Sequence, residues 1–188
     1  MALPSFATAA DLAAVMQAPV DADAAAVALA SASAVIRKWA RQDISLVVDD
    51  VVRLRVIDCE ALVLPQRPVV SVSDVRVGSL VLSDWVLSGD RLLRAGGWHR
   101  LPGTTSYPGA GLVQVTYTHG EEDPAVARAV CLDLASSTMA NPSMLRQEAI
   151  DDYSRTFASE SLGVGSLSET HKELLADYRR RVGTLGLR

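Results

Sequence analysis

The spacing of apolar residues changes period twice along this chain, and that double change most limits what it can fold into. Before Gln42 the apolar residues recur at helical intervals: Ala25, Leu29, Ala32, Ile36 and Trp39 stand four, three, four and three apart and share one helix face. From Ile44 to Thr118, short Val-rich runs are cut by Pro, Gly, Asp and Ser, the pattern of antiparallel strands joined by tight turns. Beyond Glu122 the helical interval returns, with Val126, Val130, Leu134 and Met139 beside Ala127 and Cys131. A helical pattern interrupted once by strands predicts an α+β protein: a helical bundle-like body, an inserted small antiparallel β-domain, and an irregular arm before the C-terminal helix. The expected divisions are N-terminal helices over 1–43, the β-region over 44–119, and a helix, extended arm and C-terminal helix over 120–188.

Local signals place the element ends. Thr8 followed by Asp11 reads as an N-cap with an acidic first turn, opening a short helix that stops near Gln17 before Pro19. The second helix starts at Asp21 or Asp23 and runs to about Gln42, with Arg37, Lys38 and Arg41 complementing its C-terminal dipole. In the β-region Val51, Arg53 and Arg55 alternate with Val52, Leu54 and Val56, and the last strand runs from Leu112 to Thr118. Short connections predict a meander or a small barrel-like sheet. Asp123 reads as the N-cap of the next helix with Pro124 in its first position, and Asn141-Pro142 ends it. The arm from Ser143 to Gly165 keeps no period and is irregular or hairpin-like. Ser166 with Glu169 reads as a capping box for a closing helix through Leu174, Leu175, Tyr178 and Val182, with Gly183 as C-cap.

Composition narrows the function classes. Aromatic residues make up only 5% of the 188, so the core is built from Ala, Val and Leu and suits close helix packing. A net charge of −4 argues against nucleic-acid binding by the whole surface, which needs a basic face. Cys59 and Cys131 lie far apart with no CxxC spacing and read as buried thiols of a reducing compartment. The start "MALPSFATAADLAAVMQ" has no basic leader, so the protein is expected in the cytoplasm where it is made. The Ala-rich run over 22–34 is too short and too interrupted to span a membrane.

The stretch "VQVTYTHGEEDPAV" gathers His119, Glu121, Glu122 and Asp123, a set with the composition of a metal or acid–base site. Along a strand, however, neighbouring side chains point to opposite faces, so these groups cannot converge. Gly120 instead permits a turn, and the acids suit the positive start of the following helix. His119 is left between simple exposure and a subunit contact. His99 and His171 have no metal-ligand spacing, no GxSxG elbow is present, and "GVGS" at 163–166 lacks the lysine of a phosphate loop. No catalytic, cofactor-binding or metal residue is predicted, and the chain is not expected to be an enzyme. Arg179, Arg180 and Arg181 have two readings: dipole complementation on a solvated helix end, which is preferred, or contact with an acidic partner or nucleic-acid backbone.

Several stretches together, in order, resemble one family. They are "LASASAVIRKW", "LVLPQRPVVSVSDVRVGSLVLSDWVLSGDRLLR", "VQVTYTHGEEDPAVARAVCLDLAS", "NPSMLRQEAIDDYSRTF" and "LSETHKELLADYRRR". The chain resembles the head-to-tail adaptor, or connector, proteins of tailed bacteriophages, of the type found in actinobacterial phages and prophages. The Gly/Pro-rich loop over 95–111 departs from that likeness. The resemblance implies a structural virion protein of the neck between head and tail. It would form a dodecameric ring below the portal and line the DNA exit channel. Implied partners are the portal ring, neighbouring copies of the chain, a tail-side head-closure protein and, non-specifically, the genomic DNA, with no cofactor and no membrane. Within this reading the arm and closing helix make the partner contacts, with Arg146, Gln147, Asp151, Tyr153, Arg155, Arg179, Arg180 and Arg181 as the candidates. The alternatives are another neck protein, a head-closure stopper or tail terminator, or a small-molecule binding protein using the β-region as a pocket.

Overall fold

The computed structural model describes residues 3–56, 60–98, 101, 111–141, 147–150, 153–156 and 167–180. The chain is α+β. Helices α1 (Ala9–Met16) and α2 (Ala22–Ala40) precede seven strands: β1 (Val47–Val56), β2 (Ala61–Val63), β3 (Val69–Val77), β4 (Leu80–Val81), β5 (Trp85–Ser88), β6 (Arg91–Arg94) and β7 (Gly111–His119). Helix α3 (Ala125–Ala140), strands β8 (Gln147–Ile150) and β9 (Tyr153–Thr156), helix α4 (Glu169–Leu174) and a 3₁₀ turn (Ala176–Tyr178) follow. Two compact units result, one of Met1–Gln42 with Pro124–Arg188, the other of Asp43–Asp123.

In the helical unit the caps act as their residue types dictate. The Thr8 hydroxyl accepts the Asp11 amide at 3.2 Å while the Asp11 carboxylate accepts the Thr8 amide at 2.9 Å, a reciprocal box that satisfies two orphan donors. Hydrogen bonds from the Thr8 backbone, then from its hydroxyl, hold the Asp11 carboxyl below the usual carboxylate range. Gln17 and Arg41 close α1 and α2 in the left-handed conformation, at φ 52° and 59°. Asp21 caps α2 by accepting from the Ala24 amide at 2.8 Å.

The buried stripe of α2 is Ala25, Ala28, Leu29, Ala32, Ser33, Ile36 and Ala40. Its small side chains let α3 approach until the Cys131 sulfur lies 3.4 Å from the Ser33 hydroxyl and 3.7 Å from the Leu29 carbonyl. Ser33 also accepts the buried Phe6 amide at 3.0 Å, so no polar group in this seam is wasted. Burial pushes the Cys131 thiol up.

Four expectations shift. Trp39 is only half-buried, because Ala40 and Ile36 occupy the seam beside it. Helix α3 buries Ala127, Val130, Cys131 and Ala135, leaving Leu134 and Met139 half-buried and Val126 exposed. Its cap is Pro124 rather than Asp123, with no side-chain acceptor: the Pro124 carbonyl takes the Arg128 amide at 2.9 Å, which starts the helix one residue later. The closing helix is six residues long, capped by Ser168 through the His171 amide at 3.1 Å. It tightens into the 3₁₀ turn and reaches Arg179 extended, at φ −70° and ψ 118°. Ser166, Val182 and Gly183 lie outside the described residues. Within the arm, β8 and β9 pair antiparallel from Gln147↔Thr156 to Ile150↔Tyr153, the hairpin form of the expectation.

In the second unit the larger sheet runs β1-β7-β3-β4 and the smaller β2-β6-β5. This is not a meander, since β7, the last strand of the region, lies between β1 and β3. Its alternation explains that place: Val113, Val115, Tyr117 and His119 are buried while Leu112, Gln114, Thr116 and Thr118 are not. Register then carries Val52 against Val115, Leu54 against Val113 and Val75 against Val115. The core joins both sheets through Leu62 and Leu92 with Val75, Val113 and Val115 around Trp98. Trp98 is wholly buried and its indole N–H donates to the Leu92 carbonyl at 2.8 Å, which removes the penalty of burying that donor.

Candidate partner-contact site

The stretch richest in titratable groups does not form a site. Strand β7 carries His119 inward, where it is 1% exposed, its Nε2 3.3 Å from an Asp50 carboxylate oxygen and its ring 4.9 Å from that of Tyr117. Simple exposure, one of the two readings for His119, is therefore overturned: the period-two pleat places it with Val115 and Tyr117. Glu122 and Asp123 face solvent. Between His119 and these acids, Gly120 turns at φ +88°, and a Cβ there would stand 2.1 Å from the Ser45 carbonyl oxygen. Three bonds of 2.8 Å lock the turn: Gly120 amide to Pro68 carbonyl, Glu121 amide to Ile44 carbonyl, and Leu46 amide to Glu121 carbonyl. Among the described residues no three His, Cys, Asp or Glu side chains gather as a metal site would require. His171 pairs with Asp133 at 2.9 Å. No helix among the described residues is long and apolar enough to cross a membrane.

Positive charge gathers instead in the helical unit, in an open groove of about 470 Å³. Trp39 and Arg41 come from the end of α2, Glu169, Lys172 and Glu173 from α4, and Ala176, Arg179 and Arg180 from the turn and the chain beyond it. Two long-range bonds build it. The Gln42 amide nitrogen donates to the Tyr178 carbonyl at 2.6 Å, and the Arg180 amide donates to the Ala40 carbonyl at 2.9 Å. The second serves one of the orphan carbonyls at the end of α2.

The Arg179 guanidinium carbon lies 5.2 Å from the centre of the Trp39 ring, within cation–π reach, and Lys172 meets Glu169 at 2.6 Å. Four cations face two carboxylates, an excess of two positive charges, set at the negative end of the α2 dipole. Such a groove has the chemistry to bind carboxylate or phosphate oxygens, for which forked guanidinium donors are suited.

Of the candidates from the sequence, Arg179 and Arg180 come together here. They do not complement their own helix end, because α4 stops at Leu174; they face the end of α2. Gln147, Tyr153 and Arg155 lie on the β8–β9 pair, while Arg146, Asp151 and Arg181 are outside the described residues. Trp39, Arg41 and Lys172 are members that the sequence reading did not place in a site. Their signal was a tryptophan beside basic residues at the end of an amphipathic helix.

No family model and no curated protein matches the sequence. Solved structures do share its fold. A chain in the neck of an empty gene transfer agent particle, computed with C6 symmetry, aligns over 100% of this chain and 93% of its own length, at 21% identity and a TM-score of 0.56. A chain in the neck of the native particle, computed with C12 symmetry, aligns over 100% of both, at 22% identity and a TM-score of 0.53. The chain thus has the fold of these neck components along its whole length.

Proposed function

We propose that this chain is a structural neck protein of a phage-like particle, assembled as a ring of copies between head and tail. The observation that carries the reading is the likeness of fold, which spans the entire chain and nearly all of each neck component. The likeness of separated sequence stretches to head-to-tail adaptors supports the finer assignment: a ring directly below the portal, contributing to the DNA exit channel. Such a role works by presenting distinct faces to neighbours and needs no catalytic centre. A helical unit with a cationic groove and a separate β-unit supplies surfaces of different character, as a heterologous ring requires. The partners in this reading are the portal ring, adjacent copies and a tail-side head-closure protein. Arg146, Gln147, Asp151, Tyr153 and Arg155 of the arm would make contacts beside Arg179 to Arg181.

Cryo-electron microscopy of the particle neck tests the assignment, with capture of the portal ring by the tagged chain as a biochemical counterpart. Density for the chain immediately below the portal is the expected result. Density at the head-closure or tail-terminator layer would replace the adaptor assignment by one of those, and absence from the neck would end the proposal. Deleting 147–159 is expected to leave a folded chain that no longer attaches. If heads still join tails normally, the role given to the arm is wrong.

A further inference from the structure

Strand β1 lies at one edge of the larger sheet, joined to β7 on one side and, among the described residues, to no strand on the other. After the irregularity between Val47 and Asp50, its register against β7 runs unbroken from Asp50 to Val56. The other side therefore offers a regular row of main-chain donors and acceptors, the template to which an added strand pairs. In this stretch Val52, Leu54 and Val56 turn to the core, while Arg53 and Arg55 are exposed. Neither guanidinium has an ion-pair or hydrogen-bond partner among the described residues.

The hairpin of β8 and β9 complements this edge. Its two strands, of four residues each, pair only with one another, and a two-stranded sheet is marginal in water until a further strand or a helix packs on it. Its charge is also opposite: over 147–156, Glu148, Asp151 and Asp152 stand against Arg155 alone. Glu148 lies across from Arg155 in the register, which leaves Asp151 and Asp152 in excess. The arginines sort the strands an open edge could take. A second β1 would set arginine beside arginine, which cross-strand repulsion disfavours, whereas an acidic hairpin is drawn in. The edge belongs to the unit Asp43–Asp123 and the hairpin to the other unit, so every copy carries one of each.

We infer that the β8–β9 hairpin of one copy adds to the free edge of β1 in the next, extending the four-stranded sheet across the subunit boundary. Main-chain hydrogen bonds over Val51–Val56 supply the pairing, and Arg53 and Arg55 attract the acidic hairpin. This rests on the ring proposed above and names the surface that receives its arm. Because edge and hairpin differ, the contact is heterologous and passes from copy to copy around a circle.

The test follows self-association of full-length chains by sedimentation velocity, and amide hydrogen exchange over Val51–Val56 by mass spectrometry. Exchange of the native chain there is expected to slow about tenfold or more on association, as the open row of amides becomes bonded. Arg53→Glu/Arg55→Glu and Asp151→Lys/Asp152→Lys are each expected to associate about tenfold or more weakly, since edge and hairpin then carry one sign. An equal mixture is expected to recover, because acidic hairpins meet basic edges and basic hairpins meet acidic edges in alternation, and an even-membered ring closes. That recovery also shows that both variants are folded. Association that leaves exchange over Val51–Val56 unchanged, a mixture as weak as either variant, or a single variant that assembles like the native chain overturns the inference and leaves the neck reading standing. A native chain that forms no ring, alone at high concentration or on a portal, overturns the ring itself and the inference with it.

Discussion

Gly120→Ala is expected to unfold the β-unit at far milder conditions, for two separable reasons. The residue sits at φ +88°, a left-handed conformation that costs a residue with a Cβ about 1–2 kcal/mol. The added carbon would also stand 2.1 Å from the Ser45 carbonyl oxygen and 2.7 Å from that of Ile44. Both neighbours are backbone in a turn closed by three hydrogen bonds, so neither moves without breaking one. Overpacking of this kind costs about 1–3 kcal/mol more, which brings the loss to about 3 kcal/mol. For a unit of this size that lowers the midpoint by roughly 12–24 °C. Gly78→Ala is the control: φ is +59° there with nothing within 4 Å, so only the conformational cost of about 1 kcal/mol remains. Thermal unfolding followed by tryptophan fluorescence in a Trp39→Phe background reports on this unit through Trp85 and the buried Trp98. If both alanine variants melt together, steric closure at Ser45 is not what fixes the junction.

Three further outcomes follow from the helical unit. Thr8→Ala removes one side of the α1 capping box and is expected to cost about 1 kcal/mol, measured by chemical denaturation; an unchanged midpoint would show that the cap is idle. Asp11 has a lowered carboxyl pKa, so the unfolded chain binds its proton more readily, and its stabilising contribution is present above the ordinary carboxylate value near ~3.9. That contribution is lost as pH falls through the lowered folded value, and acid melts of Asp11→Asn should show a shallower fall than the native chain. The Cys131 thiol, raised by burial, is expected to resist thiol reagents in a Cys59→Ser chain until unfolding exposes it. Labelling of the folded variant as fast as a free thiol would refute its burial against Ser33.

What could be read from sequence depended on how far away each residue's deciding partner lies. Thr8 meets Asp11 and Asp21 meets Ala24 three residues on, so both caps were legible. The inward row Val113, Val115, Tyr117 follows from strand geometry, and the same period carries His119 inward. Its titratable ring suggested exposure or a contact, yet the pleat is indifferent to chemistry and buries it beside Asp50. The run "ETHKELLADYRRR" has helical propensity throughout, but among its described residues only Glu169–Leu174 is α-helical. Leu175 is drawn into the core, the Gln42 side-chain amide donates to the Tyr178 carbonyl, and the Arg180 main-chain amide donates to the Ala40 carbonyl. The first of these spans 136 residues, beyond the reach of any local pattern. The same separation concealed the groove: Arg41 looked like dipole complementation of α2, and Arg179 and Arg180 like that of a longer α4. Stopping α4 early turns those arginines toward the end of α2, where two weak local charge patterns become one concave cationic surface.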